Sequence, residues 1–199
     1  MRYQATQGKV IVEVLEQENI TGSGLYLVRN NKQRPLRGRV ISVGRDRVGP
    51  KNRIFKAPCK VGDIVHYKKG TAFRITSRFS DQWLSTVYFG DIKGIQRGDY
   101  LHATYDNIIV QVFYKDTSDL IYIPDKFQKR ISAFVGYVKS IGPDYPHELL
   151  GLNAGDAILF PRDEGFPIVI KDEVFHSLYP EHVKARVDCP LDQLHEVLA

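Results

Sequence analysis

The sequence holds little cysteine, the residue on which disulfide frameworks are built. Its 199 residues include two cysteines, one methionine and one tryptophan. Cys59 and Cys189 lie far apart without metal-type spacing, and two reduced thiols are the expected state in a cytoplasm. No run reaches the roughly 18 apolar residues that a membrane-spanning helix needs, and the N-terminal residues do not resemble a signal peptide. We therefore expect a cytoplasmic protein that holds no metal and enters no membrane.

Motifs of catalysis and cofactor binding are also missing from the sequence. The six histidines form neither an H-x-x-x-H nor an H-E-x-x-H cluster, and there is no G-x-G-x-x-G or Walker pattern. His66 lies in an alternating strand pattern, where a structural role is expected. Asp63 and Asp156 each follow a glycine, and each is expected to cap its own turn. The sequence therefore predicts no enzyme activity, no cofactor and no nucleotide site.

The formal net charge of the whole chain is +5. The positive charge is concentrated in the first half of the chain. Residues 1–97 hold 19 Lys/Arg and 7 Asp/Glu, a balance of +12, whereas residues 98–199 hold 9 and 16, a balance of −7. Such a contrast indicates either a nucleic-acid-binding half or attraction between halves, within a chain or between chains. Because the basic residues follow no recognised nucleic-acid motif, nucleic acid is the less favoured partner.

Four sequence blocks occur twice in the same order. The clearest shares the pattern G-x-V-x-S-[V/I]-G-x-D. The paired blocks are residues 8–14 and 106–112, 38–46 and 136–144, 61–67 and 154–160, and 89–93 and 180–184. The offset between partners falls from 98 to 93 and then to 91. This repetition indicates a tandem duplication whose second copy has shorter loops.

Each block has the pattern of a short β-strand. In residues 8–14, valines alternate with Ile11 and Glu13, and β-branched residues are enriched throughout. Glycines follow the blocks where sharp turns are required. Short strands at this spacing indicate a small sandwich or barrel. We therefore predict an all-β chain of two tandem small β-barrel domains, residues 1–97 (repeat 1) and residues 98–199 (repeat 2).

The order and spacing of the blocks resemble those of GroES-type co-chaperonins, the chaperonin-10 family, over nearly the whole chain. A family subunit opens with a V-I-V-type strand and a mobile loop that ends in an apolar tripeptide. A G-x-V-x-x-V-G strand, a roof hairpin, a K-V-G-D-x-V strand and a closing strand follow. Repeat 1 has matching features at residues 10–12, 25–27, 38–44, 60–65 and 90–92. The resemblance implies two GroES-like domains in tandem.

The resemblance also implies a partner and the residues that bind it. In the family, the mobile loop docks on a GroEL-type chaperonin, and a ring of loops caps the chaperonin around an unfolded client protein. The chaperonin hydrolyses the ATP. Gly22 and Gly24 would be hinges of the loop in repeat 1. The implied chaperonin-binding residues are Leu25, Tyr26 and Leu27 in repeat 1 and Ile121, Tyr122 and Ile123 in repeat 2.

The two repeats differ where the family binds its partner. The spacer before the tripeptide has twelve residues in repeat 1 but ten in repeat 2, where it lacks glycine. The roof positions that would face the cavity are Gly70 and Thr71 in repeat 1 and the aromatic Phe166 in repeat 2. Repeat 1 is thus the fuller family member, and chaperonin binding by repeat 2 stays open.

Assembly and rival functions also stay open. We expect a homo-oligomeric ring, either of about four chains with eight domains or of seven chains in which only repeat 1 docks. A scaffold that kept the fold and lost chaperonin binding is one alternative. A nucleic-acid binder that uses the basic repeat 1 is another. The divergence of the sequence leaves a bacteriophage origin open as well.

Overall fold

A computed structural model describes residues 3–15, 36–48, 54–68, 73–76, 83–112, 133–161, 163–171 and 173–187. This part of the chain consists mainly of β-strands. The strands before residue 98 are β1 Lys9–Leu15, β2 Leu36–Val43, β3 Arg47–Val48, β4 Ile54–Phe55, β5 Ile64–Tyr67, β6 Phe73–Thr76, β7 Trp83–Tyr88 and β8 Ile92–Arg97. Those after it are β9 Tyr100–His102, β10 Ile108–Val112, β11 Ala133–Ile141, β12 Ala157–Pro161, β13 Phe166–Ile170, β14 Glu173–Leu178 and β15 Ala185–Val187.

Helical structure is minor in the described ranges. The α-helix α1, His147–Leu150, is a single turn between β11 and β12. Short 3-10 turns lead into β8 and lie just before β15. None of these segments is long and apolar enough to cross a membrane. The predicted all-β class is therefore confirmed.

The two repeats form sheets with the same strand order. In repeat 1 the order is β6-β7-β1-β2-β5-β8, and in repeat 2 it is β13-β14-β10-β11-β12-β15. The register repeats as well, because Val12 pairs with Val40 in one sheet and Val110 pairs with Val138 in the other. Each ladder shifts at a β-bulge directly before that pair. The predicted tandem duplication is confirmed at the level of individual residue pairs.

Each repeat has its own hydrophobic core, built from the inward-pointing residues of equivalent strands. The core of repeat 1 includes Val10, Val12, Val40, Val65, Tyr67, Val87 and Ile92. The core of repeat 2 includes Ile108, Val110, Val138, Ile158, Phe160, Leu178 and Val183. These sets match position by position, so the duplication preserved the packing as well as the strand order.

A glycine ends the second strand of each repeat because another segment crosses it closely. A Cβ atom on Gly44 would overlap the carbonyl oxygen of Thr6, and one on Gly142 would overlap that of Tyr105. Any side chain at either position would force the backbone apart. The recurring glycine at the end of the G-x-V-x-S-[V/I]-G block thus has a steric cause.

Strand β9 lies beyond residue 97 but extends the sheet of repeat 1. Gly98, with φ +62, and Asp99 form a two-residue turn, and Arg97 pairs with Tyr100 across it. The chain therefore passes from one repeat to the other through a β-hairpin. The domain division after residue 97 stays a prediction.

Candidate functional site

In both repeats a long excursion of the chain leaves and rejoins the sheet between two paired strands. In repeat 1, Val14 on β1 pairs with Gly38 on β2, and the equivalent pair in repeat 2 joins β10 and β11. These pairs enclose residues 15–37 and residues 113–135, which is 23 residues in each case. The excursions have the same total length, although the spacer before the tripeptide is shorter in repeat 2.

The strands that precede the two excursions, β1 and β10, are central strands of their sheets. β1 pairs with β2 on one side and with β7 on the other, and β10 likewise lies between β11 and β14. Val10 and Val12 on β1 are 0% exposed, and so is Val110 on β10. A long loop held at both ends by a packed ladder is a common arrangement for binding sites.

All residues predicted to bind the chaperonin or to act as loop hinges lie in these excursions, outside the described part of the chain. The predicted binding residues are Leu25, Tyr26, Leu27, Ile121, Tyr122 and Ile123, and the predicted hinges are Gly22 and Gly24. Gly70 and Thr71, predicted for the roof, lie outside it too. The roles of all these residues stay predictions.

Phe166 is the one predicted roof residue that the structure describes. It begins β13, is half-buried and packs against a cluster that includes Ile168 and Phe175. It pairs with Ser177, and the equivalent strand pair in repeat 1 places Phe73 at this position. The strand register therefore puts an aromatic residue here in both repeats, whereas the sequence spacing matched Phe166 with Thr71. A cavity-facing role for Phe166 stays a prediction.

The segment after β2 differs between the repeats. In repeat 1 it forms a ribbon of β3 and β4, on which Val48 and Ile54 are 58% and 60% exposed. Asp46 anchors the ribbon, since its Oδ1 accepts a hydrogen bond from the backbone N–H of Ala57 at 3.0 Å. In repeat 2 the shorter helix α1 stands in its place, next to the buried Tyr145. The longer segment of repeat 1 is thus a distinct structural element.

Polar contacts join the two repeats. Lys93 Nζ donates to the hydroxyl of Tyr179 at 2.6 Å, and Thr104 Oγ1 donates to the carbonyl of Ile92 at 2.8 Å. The hydroxyl of Tyr105 donates to the carbonyl of Lys56 at 2.9 Å. The first two contacts join β8 to repeat 2, and the third joins the segment after β4 to repeat 2.

Apolar packing completes this junction. Its cluster consists of Leu101, Ala103, Ile109, Ile168, Ile170 and Phe175, with Phe166 at its margin. Gly94 on β8 lies against it, since a Cβ there would be 3.0 Å from Ile168 Cδ1 and 3.1 Å from Leu101 Cδ1. The residues of this junction were not predicted from the sequence. The sequence did carry a signal, because three junction residues recur at the equivalent positions of the other repeat. Thr104 matches Thr6, Lys93 matches Lys184, and Tyr179 matches Tyr88.

The turn before β5 is held by a buried carboxylate. Asp63 is 5% exposed, accepts a hydrogen bond from the backbone N–H of Lys60 at 3.0 Å and pairs with Arg97 at 2.9 Å. Burial raises the pKa of Asp63, but the hydrogen bonds from Arg97 and Lys60 outweigh it, and the pKa lies below its usual value. Asp156 accepts the same turn bond from Asn153 at 2.8 Å. The predicted capping role of both aspartates is confirmed.

His66 has a structural environment. It is 1% exposed on β5, and its Nε2 lies 3.4 Å from Oε1 of Gln96. Burial lowers its pKa to about 4, so the ring is neutral at pH 7. Within the described ranges no group of three or more His, Cys, Asp or Glu side chains could hold a metal ion. These surroundings give His66 a packing role.

The structure thus defines a class of protein: two small β units of one topology in tandem, each with 23 residues between the first paired positions of two neighbouring strands. The sequence model of the family described as "Chaperonin 10 Kd subunit" matches the chain twice, at residues 2–95 and at residues 100–187. The chain belongs to the chaperonin-10 family, which is not an enzyme family, and carries two family domains in tandem.

Individual relatives agree with this assignment. A "Co-chaperonin GroES" of Nitrosospira multiformis is 31% identical to this chain over 98 residues. The aligned residues make up 49% of this chain and 100% of the relative. A "Co-chaperonin GroES" of Lacticaseibacillus zeae is 43% identical over 61 residues, which make up 31% of this chain and 66% of the relative. A third, of Geobacter sp. strain M21, is 32% identical over 69 residues, with 35% and 72% covered.

Proposed function

We propose that this chain is a co-chaperonin that caps a GroEL-type chaperonin ring and assists ATP-dependent folding of a client protein. The observation that carries the proposal is the double family match together with the two long excursions. Each excursion lies between the first two paired strands of its domain, where the resemblance to the family leads us to expect a mobile loop. The names of the relatives describe the same activity.

The binding elements are the apolar tripeptides of the excursions. Leu25 and Leu27 alternate with Tyr26, so in an extended segment the two leucines point the same way. Burying two such side chains is worth roughly 3–6 kcal/mol. Ordering the loop costs about 1–2 kcal/mol per residue fixed, which offsets much of that gain. A single loop therefore binds weakly.

Several loops on one scaffold turn weak contacts into tight and reversible capping. Once one loop is bound, the others meet their sites at a high effective concentration. Both excursions begin and end on paired strands of the same chain, so each chain carries two candidate binding segments. Repeat 1 has the longer, glycine-bearing spacer and is the main contributor in this proposal.

The proposal is tested by capture on an immobilised GroEL-type ring with ATP or ADP present. The double substitution Leu25→Ser and Leu27→Ser is expected to abolish capture, because it removes the apolar side chains that dock. The matched variant carries Ile121→Ser and Ile123→Ser and measures what repeat 2 contributes. Val48→Ser is a control, because Val48 is an exposed apolar residue outside the excursions.

Equal capture of the wild type and the Leu25→Ser, Leu27→Ser variant would disprove the assignment of the binding loop. Absence of capture of the folded wild-type chain would favour the scaffold that lost chaperonin binding. Salt-sensitive retention of DNA would favour the nucleic-acid binder. The three functions therefore give three different results.

A further inference from the structure

The sheet of repeat 2 has a second apolar face, on the side away from its core. Side chains alternate between the two faces of a strand, and the core takes those of Val138, Ile158 and Phe160. The opposite face carries a cluster of its own, which we call the outer cluster. It consists of Val135 and Tyr137 on β11, Ala157 and Leu159 on β12, and Val187 on β15.

The outer cluster is buried, although the described residues provide no apolar layer over it. Val135 and Tyr137 are each 6% exposed, and Ala157 is 4% exposed. In the described ranges every apolar member of the cluster comes from β11, β12 or β15. An apolar sheet face has to pack against another element to be removed from water. The covering element therefore comes from outside the described ranges.

The equivalent face of repeat 1 is mainly polar. The ladders match the two faces residue by residue, because Tyr137 pairs with Ala157 as Arg39 pairs with Ile64. The five equivalents in repeat 1 are Arg37, Arg39, Ile64, His66 and Gln96. Antiparallel sheets commonly pack one face on a core and carry polar residues on the other. The apolar outer face is therefore specific to repeat 2.

The chain that follows β15 differs from the chain that follows β8. After β8, the turn at Gly98 and Asp99 leads directly into β9. After β15 come residues 188–199, which lie beyond the second family match and outside the described ranges. We call them the tail segment. The repeat with the apolar outer face is thus the repeat that an additional segment follows.

The tail segment has the sequence pattern of a short amphipathic helix. It opens with Asp188 and Pro190, residue types that are typical of the start of a helix. At helical spacing its apolar residues fall on one side, and Asp192 and Glu196 fall on the other. The apolar residues are Leu191, Leu194, Val197 and Leu198. The pattern therefore predicts one apolar surface that needs a partner.

The position and length of the tail segment fit the outer cluster. Val187, the last residue of β15, belongs to the cluster, so the tail segment begins at the edge of the face. β12 lies between β15 and β11, and at about 4.8 Å per strand the face is about 10 Å wide. A helix over residues 191–198 is about 12 Å long. Residues 188–190 are left for the turn.

We propose that the tail segment folds back over its own repeat 2 and packs its apolar side on the outer cluster. It thereby provides the second layer that this sheet face requires. Because only three residues separate it from β15, its effective concentration at the face is high, which favours it over a segment of a second chain. The proposal goes beyond the proposed function, because it assigns a binding surface that involves no chaperonin.

The test is the rate at which a maleimide labels a thiol placed in the outer cluster of the full-length chain. The probe chain carries Ala157→Cys, a small change at a buried position, and Cys189→Ser, which removes the thiol of the tail segment. Cys59 stays in place, because burial raises its pKa to about 12 and keeps it a weakly reactive thiol at pH 7.

Two matched changes in the tail segment are compared in this probe chain. Leu194→Ser with Leu198→Ser is expected to speed labelling at least about tenfold, because it removes two apolar side chains that hold the cover in place. Asp192→Ser with Glu196→Ser changes the opposite side of the same predicted helix. This control should leave the rate within about twofold.

A second probe chain reports on the equivalent face of repeat 1. It carries Ile64→Cys in place of Ala157→Cys, and its labelling should not respond to either tail variant. Each labelling experiment is run at two concentrations of the chain. A rate that is independent of concentration supports a cover from the same chain, whereas labelling of the Ala157→Cys chain that speeds up on dilution assigns the cover to a second copy and overturns the proposal.

Hydrogen exchange of the chain with its native cysteines provides a measurement without an introduced thiol. Backbone amides of β11 and β12 should exchange faster in the Leu194→Ser, Leu198→Ser variant and at the wild-type rate in the Asp192→Ser, Glu196→Ser control. Labelling or exchange that is unchanged by the two leucine substitutions overturns the proposal. Because no chaperonin is present, these outcomes are independent of whether the chain caps one.

Discussion

The pair of Asp63 and Arg97 gives a sharp test of the structure, because repeat 2 contains a weaker version of the same contact. Asp63 Oδ1 and Oδ2 accept hydrogen bonds from Arg97 Nε at 3.0 Å and Nη2 at 2.9 Å. In repeat 2, Arg186 Nη2 lies 3.4 Å from Asp156 Oδ1. The substitution Asp63→Asn keeps an oxygen for the turn but removes the charge and one acceptor.

The expected loss follows from these bonds. A hydrogen bond to a charged group is worth about 1.5–3 kcal/mol, and two are disrupted. Arg97 is 42% exposed, so water recovers part of the loss. We expect Asp63→Asn to lower the free energy of unfolding by about 2–3 kcal/mol at pH 7. Asp156→Asn should cost about 1 kcal/mol or less, because its ion pair with Arg186 is longer, at 3.4 Å, and Arg186 is 47% exposed.

The assay is urea unfolding followed by tryptophan fluorescence and by circular dichroism. Trp83, the one tryptophan of the sequence, lies on β7 and reports on repeat 1. The pKa of Asp63 is lowered in the fold, so its contribution is present above about pH 4 and is lost as the pH falls below it. Equal losses in both variants, or an Asp63→Asn penalty that persists at pH 2, would refute the reasoning.

Two further predictions concern packing and protonation. Gly44→Ala and Gly142→Ala should each cost about 3 kcal/mol or more in urea unfolding because of backbone overlap, whereas Gly90→Ala, which meets nothing within 4 Å, should cost less than about 1 kcal/mol. The free energy of unfolding should fall as the pH is lowered from about 6.5 to about 4. Over this range His66 is protonated in the unfolded chain but stays neutral in the folded one, where its pKa is about 4. This loss should reach about 3 kcal/mol and be absent from His66→Gln; identical pH profiles would contradict the burial of a neutral ring.

The sequence predicts the repeated fold well because its signals are local. Alternating valines in residues 8–14 and the glycine at Gly44 recur at a fixed offset, and both follow from strand geometry and close packing. The turn roles of Asp63 and Asp156 are equally local, because each aspartate accepts a bond from the residue three positions before it.

What the sequence alone did not predict depends on contacts between distant residues. β9 is three residues long and forms because β8 pairs with it, so strand periodicity has too little length to reveal it. The equivalence of Phe73 and Phe166 is set by the ladders with β7 and β14, whereas glycine spacing matched the loops differently. The apolar tripeptides follow from the family resemblance, because nothing in their composition distinguishes a docking segment from a buried strand.

The most direct test of the central claim is refolding of a chaperonin-dependent client by a GroEL-type ring with ATP. The account predicts that adding this chain raises the yield of active client, and that the Leu25→Ser, Leu27→Ser variant does not. A yield that stays at the level of chaperonin and ATP alone, with a folded and assembled wild-type chain in excess, would contradict the account.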